Sequence, residues 1–343
     1  MLFTLALLIS LVSTPVAIPL AVDFTPVWLQ PLGSASKSRP VIDDGKIYVA
    51  SENGVVTALN QTDGSTEWQA VPGATAGARI AVANGLLLIP GNDGTLYVLD
   101  ALDGSSVATV VLGGVSLSEP LVSGSTVVVA DTSGVVSLLD LETFRIRDQI
   151  VLSGDVVDSG MIGNGIVAYP LSDGTLIGLD AELGLVVWQQ VLGSPAHRLF
   201  LIDEEGLLVP TGDGVISRYS LADGAVEWQI VMPAEETIDA AVTPYGLLIS
   251  TTGGSIQSLN TETGKLQWSE VLQSEATFAD EVCEQLCYLA DGDLLIAISP
   301  EDGTMSTVAV APGEIENSLV AGDGMVVAVT DAGDVVLWKT DED

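Results

Sequence analysis

Residues 45–68, GKIYVASENGVVTALNQTDGSTEW, decide the fold, because their layout returns about every forty residues until the C-terminus. Alternating apolar side chains at Ile47 and Val49, then at Val55 and Leu59, suit two half-buried strands, and Glu52-Asn53-Gly54 supplies the turn between them. A second turn follows at Asn60 to Gly64, and the next short strand carries Trp68. Such a meander cannot bury both faces by itself, so copies must stack against one another.

The repeat is counted most directly on its glycines. The first turn returns at Gly54, Gly94, Gly134, Gly174, Gly214, Gly254, Gly292 and Gly333, the first six spaced by forty residues. The second returns at Gly64, Gly104, Gly184, Gly224, Gly264 and Gly303, with Phe144 in the third copy. Tight turns favour glycine because positive φ costs a residue that has a Cβ. The aromatic position reads Trp68, Trp188, Trp228 and Trp268, and Ala108, Asp148 and Thr307 replace it elsewhere. Those three units are expected to pack less tightly at their outer edge.

Forty residues before Trp68 stands Trp28, in a segment that resembles the end of a repeat without its beginning. From Glu316 the chain supplies the first three strands of a repeat and stops. The two ends therefore complete each other. The expected fold is all-β, an eight-bladed β-propeller over residues 23–343, with four-stranded antiparallel blades and the N-terminal strand completing the C-terminal blade.

The eleven residues that close each unit, ALNQTDGSTEW (58–68), GLDAELGLVVW (178–188), RYSLADGAVEW (218–228) and SLNTETGKLQW (258–268), resemble the docking motif of PQQ-like, quinoprotein-type propeller repeats. Degenerate copies are VLDALDGSSVA (98–108), LLDLETFRIRD (138–148) and AISPEDGTMST (297–307). The resemblance implies that Trp28, Trp68, Trp188, Trp228 and Trp268 dock blades rather than do chemistry. It also implies two function classes. Non-enzymatic exported members, such as the outer-membrane assembly factor BamB, match this chain in length and blade count. Quinoprotein dehydrogenases place pyrroloquinoline quinone and calcium over the central channel. The expectation is a BamB-like protein-interaction scaffold, not an enzyme and without a cofactor. It is expected to be monomeric, with a β-barrel assembly component or an extended polypeptide as partner. The alternatives are a PQQ-dependent redox protein and a surface or sensory propeller in an organism without an outer membrane.

Ten Lys and Arg against 46 Asp and Glu give a formal charge of −36. A surface so negative repels phosphate backbones and anionic headgroups, which sets nucleic acid aside. Residues 1–22 carry no charged side chain and are rich in Leu, Ile and Val, as in a signal peptide or an N-terminal membrane anchor. Export to the periplasm or cell surface is expected, with membrane contact only through residues 1–22 where they are retained. No cysteine lies near this segment to carry a lipid. In an oxidising compartment Cys283 and Cys287 are expected to close a small disulfide, the other reading being two separate thiols.

Chemistry in a propeller belongs where the inner strands begin, since these starts converge on one channel mouth. Fifteen residues before the turn glycines stand Arg39, Arg79, Glu119, Ser159 and Asp239, with Arg198, Asp280 and Asn317 close to the same register. Three of the six arginines fall on this ring. Either they neutralise Glu119, Asp158, Asp239 and Glu316 across a crowded channel, or they hold a carboxylate from a partner. His197, the only histidine, lies at the same mouth. One histidine makes neither a metal site nor, without a G-x-S-x-G turn, a triad. No catalytic and no metal-ligating residue is expected. The Asp-Gly pairs at Asp93, Asp173, Asp213 and Asp302 lack calcium-loop spacing and read as hairpin turns.

Overall fold

The repeat closes into a ring of eight four-stranded antiparallel sheets. The computed structural model describes residues 24–36, 39–73, 79–116, 118–196, 198–203, 205–232, 237–272, 275–279, 283, 285–315, 319–322 and 324–340. Blade 1 runs Val41–Asp43, Lys46–Ala50, Val56–Asn60 and Thr66–Ala70, from the channel outward. Blades 2 to 7 repeat this order. In blade 8, strands Leu319–Gly322, Met325–Val329 and Asp334–Lys339 take Pro26–Pro31 as their outermost strand, with Leu29 opposite Val336 and Pro31 opposite Asp334. Phe24 then bonds from its N–H to the Val308 carbonyl of blade 7 at 2.8 Å. The expectation for residues 1–22 lies outside the described residues.

The period-two pattern has a different cause from the one the sequence suggests. The two middle strands are buried on both faces, not half-buried. Their alternate side chains go to different neighbours. Ile47 and Val49 join a cluster with Val327, Val335 and Leu337 of blade 8, while Tyr48 and Ala50 join one with Leu87, Ile89 and Leu99 of blade 2. One such cluster fills each of the eight joints. A propeller therefore has a segmented core, and each blade is stable only between its neighbours. In the blade 1–2 joint Tyr48 donates its hydroxyl to the Ala101 carbonyl at 3.0 Å, whereas the buried Tyr169 hydroxyl and Trp338 indole N–H have no hydrogen-bond partner among the described residues. Burial, with the nearby carboxylates of Asp43 and Asp44, pushes the Tyr48 phenol up to about 12.

The tryptophans close the joints from the circumference. Five of the six indole N–H groups donate to a backbone carbonyl of the next blade: Trp28 to Gln61, Trp68 to Ala101, Trp188 to Leu221, Trp228 to Thr261 and Trp268 to Pro300, at 2.7–3.2 Å. Their rings lie on the second-turn glycines of that next blade. A Cβ on Gly104 would stand 2.5 Å from Trp68, and one on Gly224 would stand 2.7 Å from Trp188. Both glycines also have φ near +70°, so backbone and contact exclude a side chain together. The first-turn aspartates are hairpin-turn residues, their carboxylates accepting the N–H two residues on, as Asp93 does from Thr95 and Asp173 from Thr175.

Two of the joints expected to be loose are filled. Phe144 takes the left-handed glycine position at φ 53° and packs into the same cluster as Ala108. Arg147 reaches into blade 4, donating to the Ala181 carbonyl at 3.1 Å and to that of Glu182 at 2.6 Å. In blade 7 a disulfide joins Cys283 to Cys287 between the inner strand Thr277–Phe278 and the next strand, Cys287–Asp291.

Candidate functional site at the channel mouth

In blades 1 and 3 the chain reaches the inner strand through a short loop that is tied to its own blade. Ser36 donates its hydroxyl to the Ala50 carbonyl and Ser116 to that of Ala130, both at 2.8 Å. Pro40 and Pro120 then hold the residue before them in extended backbone. Arg39 and Glu119 are thereby aimed at the channel.

Six of the residues singled out by register form two connected arcs. The first runs through blades 1, 5, 6 and 7. Arg39 crosses from blade 1 to blade 6, its Nη2 donating to Asp239 Oδ2 at 2.9 Å and to the Phe278 carbonyl of blade 7 at 3.1 Å. Arg198 of blade 5 stands 3.3 Å from Asp239 Oδ1, its guanidinium over the Phe200 ring at 5.0 Å. The Asp239 side chain is fully buried. Its oxygens also accept the Phe278 and Ala240 N–H groups, both at 3.0 Å. Three hydrogen bonds and the Arg198 ion pair engage this carboxylate and make it a brace across the channel.

The second arc is looser. Arg79 of blade 2 stands 3.9 Å from Glu119 of blade 3, with about a third of each side chain exposed. The Glu119 N–H donates to Ser159 Oγ of blade 4, and the Ser159 N–H donates to the Asp158 carboxylate. Arg39, Arg79 and Glu119 line a cavity of about 340 Å³ whose other wall is apolar, from Ile42, Ile80 and Val320. A charged rim over an apolar floor suits contact with a polypeptide side chain. His197, Asp280, Glu316 and Asn317 lie outside the described residues.

Sequence reasoning missed one feature. A groove of about 510 Å³ lies between the outer parts of blades 5 and 6, lined by Ile230, Met232, Gln257, Leu259 and Lys265. Its residues come from different repeats at unremarkable positions, so no local signal marks it.

With the ring and its mouth in view, the comparisons with known proteins agree. A family model described as the outer membrane protein assembly factor BamB matches residues 21–76, 70–147 and 149–286. The chain belongs to that PQQ-like family. Its solved relatives share the fold at low identity. BamB from Moraxella catarrhalis is 19% identical with a TM-score of 0.76, over 93% of this chain and 98% of that one. The computationally designed Ika8 protein is 15% identical with a TM-score of 0.79, over 93% and 99%. The quinohemoprotein alcohol dehydrogenase ADHIIG from Pseudomonas putida HK5 is 13% identical with a TM-score of 0.73, over 94% and 78%. None of the curated proteins matches the sequence. PQQ-like propellers thus include both a BamB and a dehydrogenase among the folds this chain resembles.

Proposed function

We propose that this protein is a non-enzymatic, exported scaffold of the BamB type, which presents its channel rim and outer strand edges to a protein partner in the cell envelope. The observation that carries the reading is the buried Asp239, held by three hydrogen bonds and two arginines. This fully buried carboxylate is committed to holding Arg39 and Arg198 across the channel. What remains at the surface is the Arg79–Glu119 rim, whose chemistry is that of charge-complementary contact. The uncharged segment 1–22 supports export as a signal peptide or anchor. A β-barrel assembly component or another extended polypeptide suits such a surface, and a monomer suffices to present it.

The dehydrogenase reading fits this mouth poorly. A planar quinone needs an aromatic or similarly flat wall and its calcium needs carboxylates. The cavity is lined by two arginines, one glutamate and aliphatic side chains. No group of three His, Cys, Asp or Glu among the described residues is arranged to hold a metal. Titration of purified protein with pyrroloquinoline quinone and calcium is expected to show no stoichiometric uptake and no dye-linked alcohol oxidation; uptake with turnover overturns the proposal. A photo-crosslinker beside Arg79 is expected to capture one envelope protein. The variant Arg79→Ala with Glu119→Gln should weaken that capture about tenfold while leaving the unfolding midpoint unchanged. Arg39→Ala is less informative, because it also removes a partner from the buried Asp239.

A further inference from the structure

The outermost strands form the circumference of the ring, and each presents a row of backbone groups without a strand partner. Most of these edges are guarded. Blade 1 carries Glu67, blade 3 Arg147 and Asp148, blade 5 Glu227 and blade 6 Glu270, while the blade 8 strand begins and ends in proline. Blade 7 takes the Phe24 N–H on its edge. Charges and prolines are the usual means by which a sheet edge resists pairing with another chain.

Blade 4 lacks every one of them. Its outer strand, Leu185–Val191 with sequence LVVWQQV, has seven residues and no charge, proline or glycine. It exposes Leu185 at 59%, Val186 at 44%, Val187 at 47% and Val191 at 80%, with Leu183 just before it at 64%. The uncharged blade 2 strand, Ser106–Val111, exposes only Val107 and Val111 among its large apolar side chains. Trp188, between the exposed valines, is turned inward to its docking carbonyl, which fixes the strand's orientation. Each end of this strip carries an exposed carboxylate, and at the first end Arg147 of blade 3 occupies the Glu182 backbone carbonyl. Glu182 is exposed in the turn before it, and beyond it the exposed Asp213 carboxylate lies 3.9 Å from where a Cβ on Gly193 would stand.

We propose that the outward edge of the blade 4 strand Leu185–Val191 is a strand-addition site for an extended segment of a partner protein, apolar at alternate positions and with Lys or Arg at both ends. The partner's backbone would complete the edge, its apolar residues would cover the exposed valines, and its cations would meet Glu182 and Asp213. A second copy of this chain is the wrong occupant. Antiparallel pairing of the strand with itself brings Glu182 of one copy towards Asp213 of the other, like charge against like. This inference rests on the scaffold reading and gives it a place on the ring.

The test uses a labelled seven-residue peptide, Lys-Val-Thr-Val-Thr-Val-Lys with blocked ends, titrated against the full protein by fluorescence anisotropy. Saturable one-to-one binding is expected. It should weaken at least tenfold when the amides of one peptide edge are N-methylated, when glutamates replace the terminal lysines, or in the variant Val187→Lys with Val191→Lys. The charge-matched variant Val107→Lys with Val111→Lys on blade 2 should bind as the parent does. Absence of saturable binding, equal binding of the N-methylated peptide, or equal loss in both variants overturns the proposal. A concentration-dependent dimer in sedimentation, abolished by the blade 4 variant, would give the edge to a second copy and overturn it too. Capture by the crosslinker beside Arg79 does not involve this strand, so the edge site can fail while the scaffold reading stands.

Discussion

The joint between blades 1 and 2 and the joint between blades 2 and 3 use the same two positions, filled in opposite order. In the first, Trp68 reaches over Gly104. In the second, the outer strand supplies Ala108 and the turn supplies Phe144. The large side chain has changed sides, and it has done so against a backbone cost. Phe144 holds φ 53°, a region that side chains with a Cβ enter at about 1–2 kcal/mol. At the next joint no ring is used, and Arg147 makes the carbonyl bonds that a Trp indole makes elsewhere. Volume filled and carbonyls satisfied, rather than a particular residue, therefore hold the ring together.

Breaking the common form of the joint should have the largest effect. Trp188→Ala empties a buried site and leaves the Leu221 carbonyl without its donor, so a loss of about 3–5 kcal/mol is expected in urea unfolding. A loss below about 1 kcal/mol would mean that the tryptophan is ornamental. The inverted joint gives a sharper test. Ala108→Trp alone should cost about 1–3 kcal/mol by overpacking. Adding Phe144→Gly should restore most of it, since it frees both the space and the left-handed backbone. A double-mutant coupling near zero would show that the two positions do not share one volume. The smallest effect belongs to Arg147→Ala, about 1 kcal/mol, because its two bonds lie near solvent.

Part of this was legible in advance. Trp68 and Gly104 stand 36 residues apart, as do Ala108 and Phe144, so the size exchange is written in the sequence as a paired departure from the repeat. Reading each departure alone predicts a loose joint; only their packing into one cluster shows that they compensate. The mouth divides in the same way. Register brought Arg39, Arg79, Glu119 and Asp239 to one ring, because strand starts in a closed repeat must converge. That Arg39 would cross the channel to Asp239, 200 residues away, while Arg79 stays beside Glu119, depends on where side chains meet after closure.

The sequence by itself determined the repeat, the turns and the closure of the ring. These rest on short-range causes: glycine at positive φ, aspartate bonding two residues on, and alternation at period two. Only the tertiary structure decided that the middle strands are buried on both faces, that Asp239 ties Arg39 and Arg198 across the channel, and that the outer strand Leu185–Val191 leaves four large apolar side chains exposed. Those outcomes depend on what each blade meets across a joint or leaves facing solvent, and no local pattern encodes a neighbour forty or two hundred residues away.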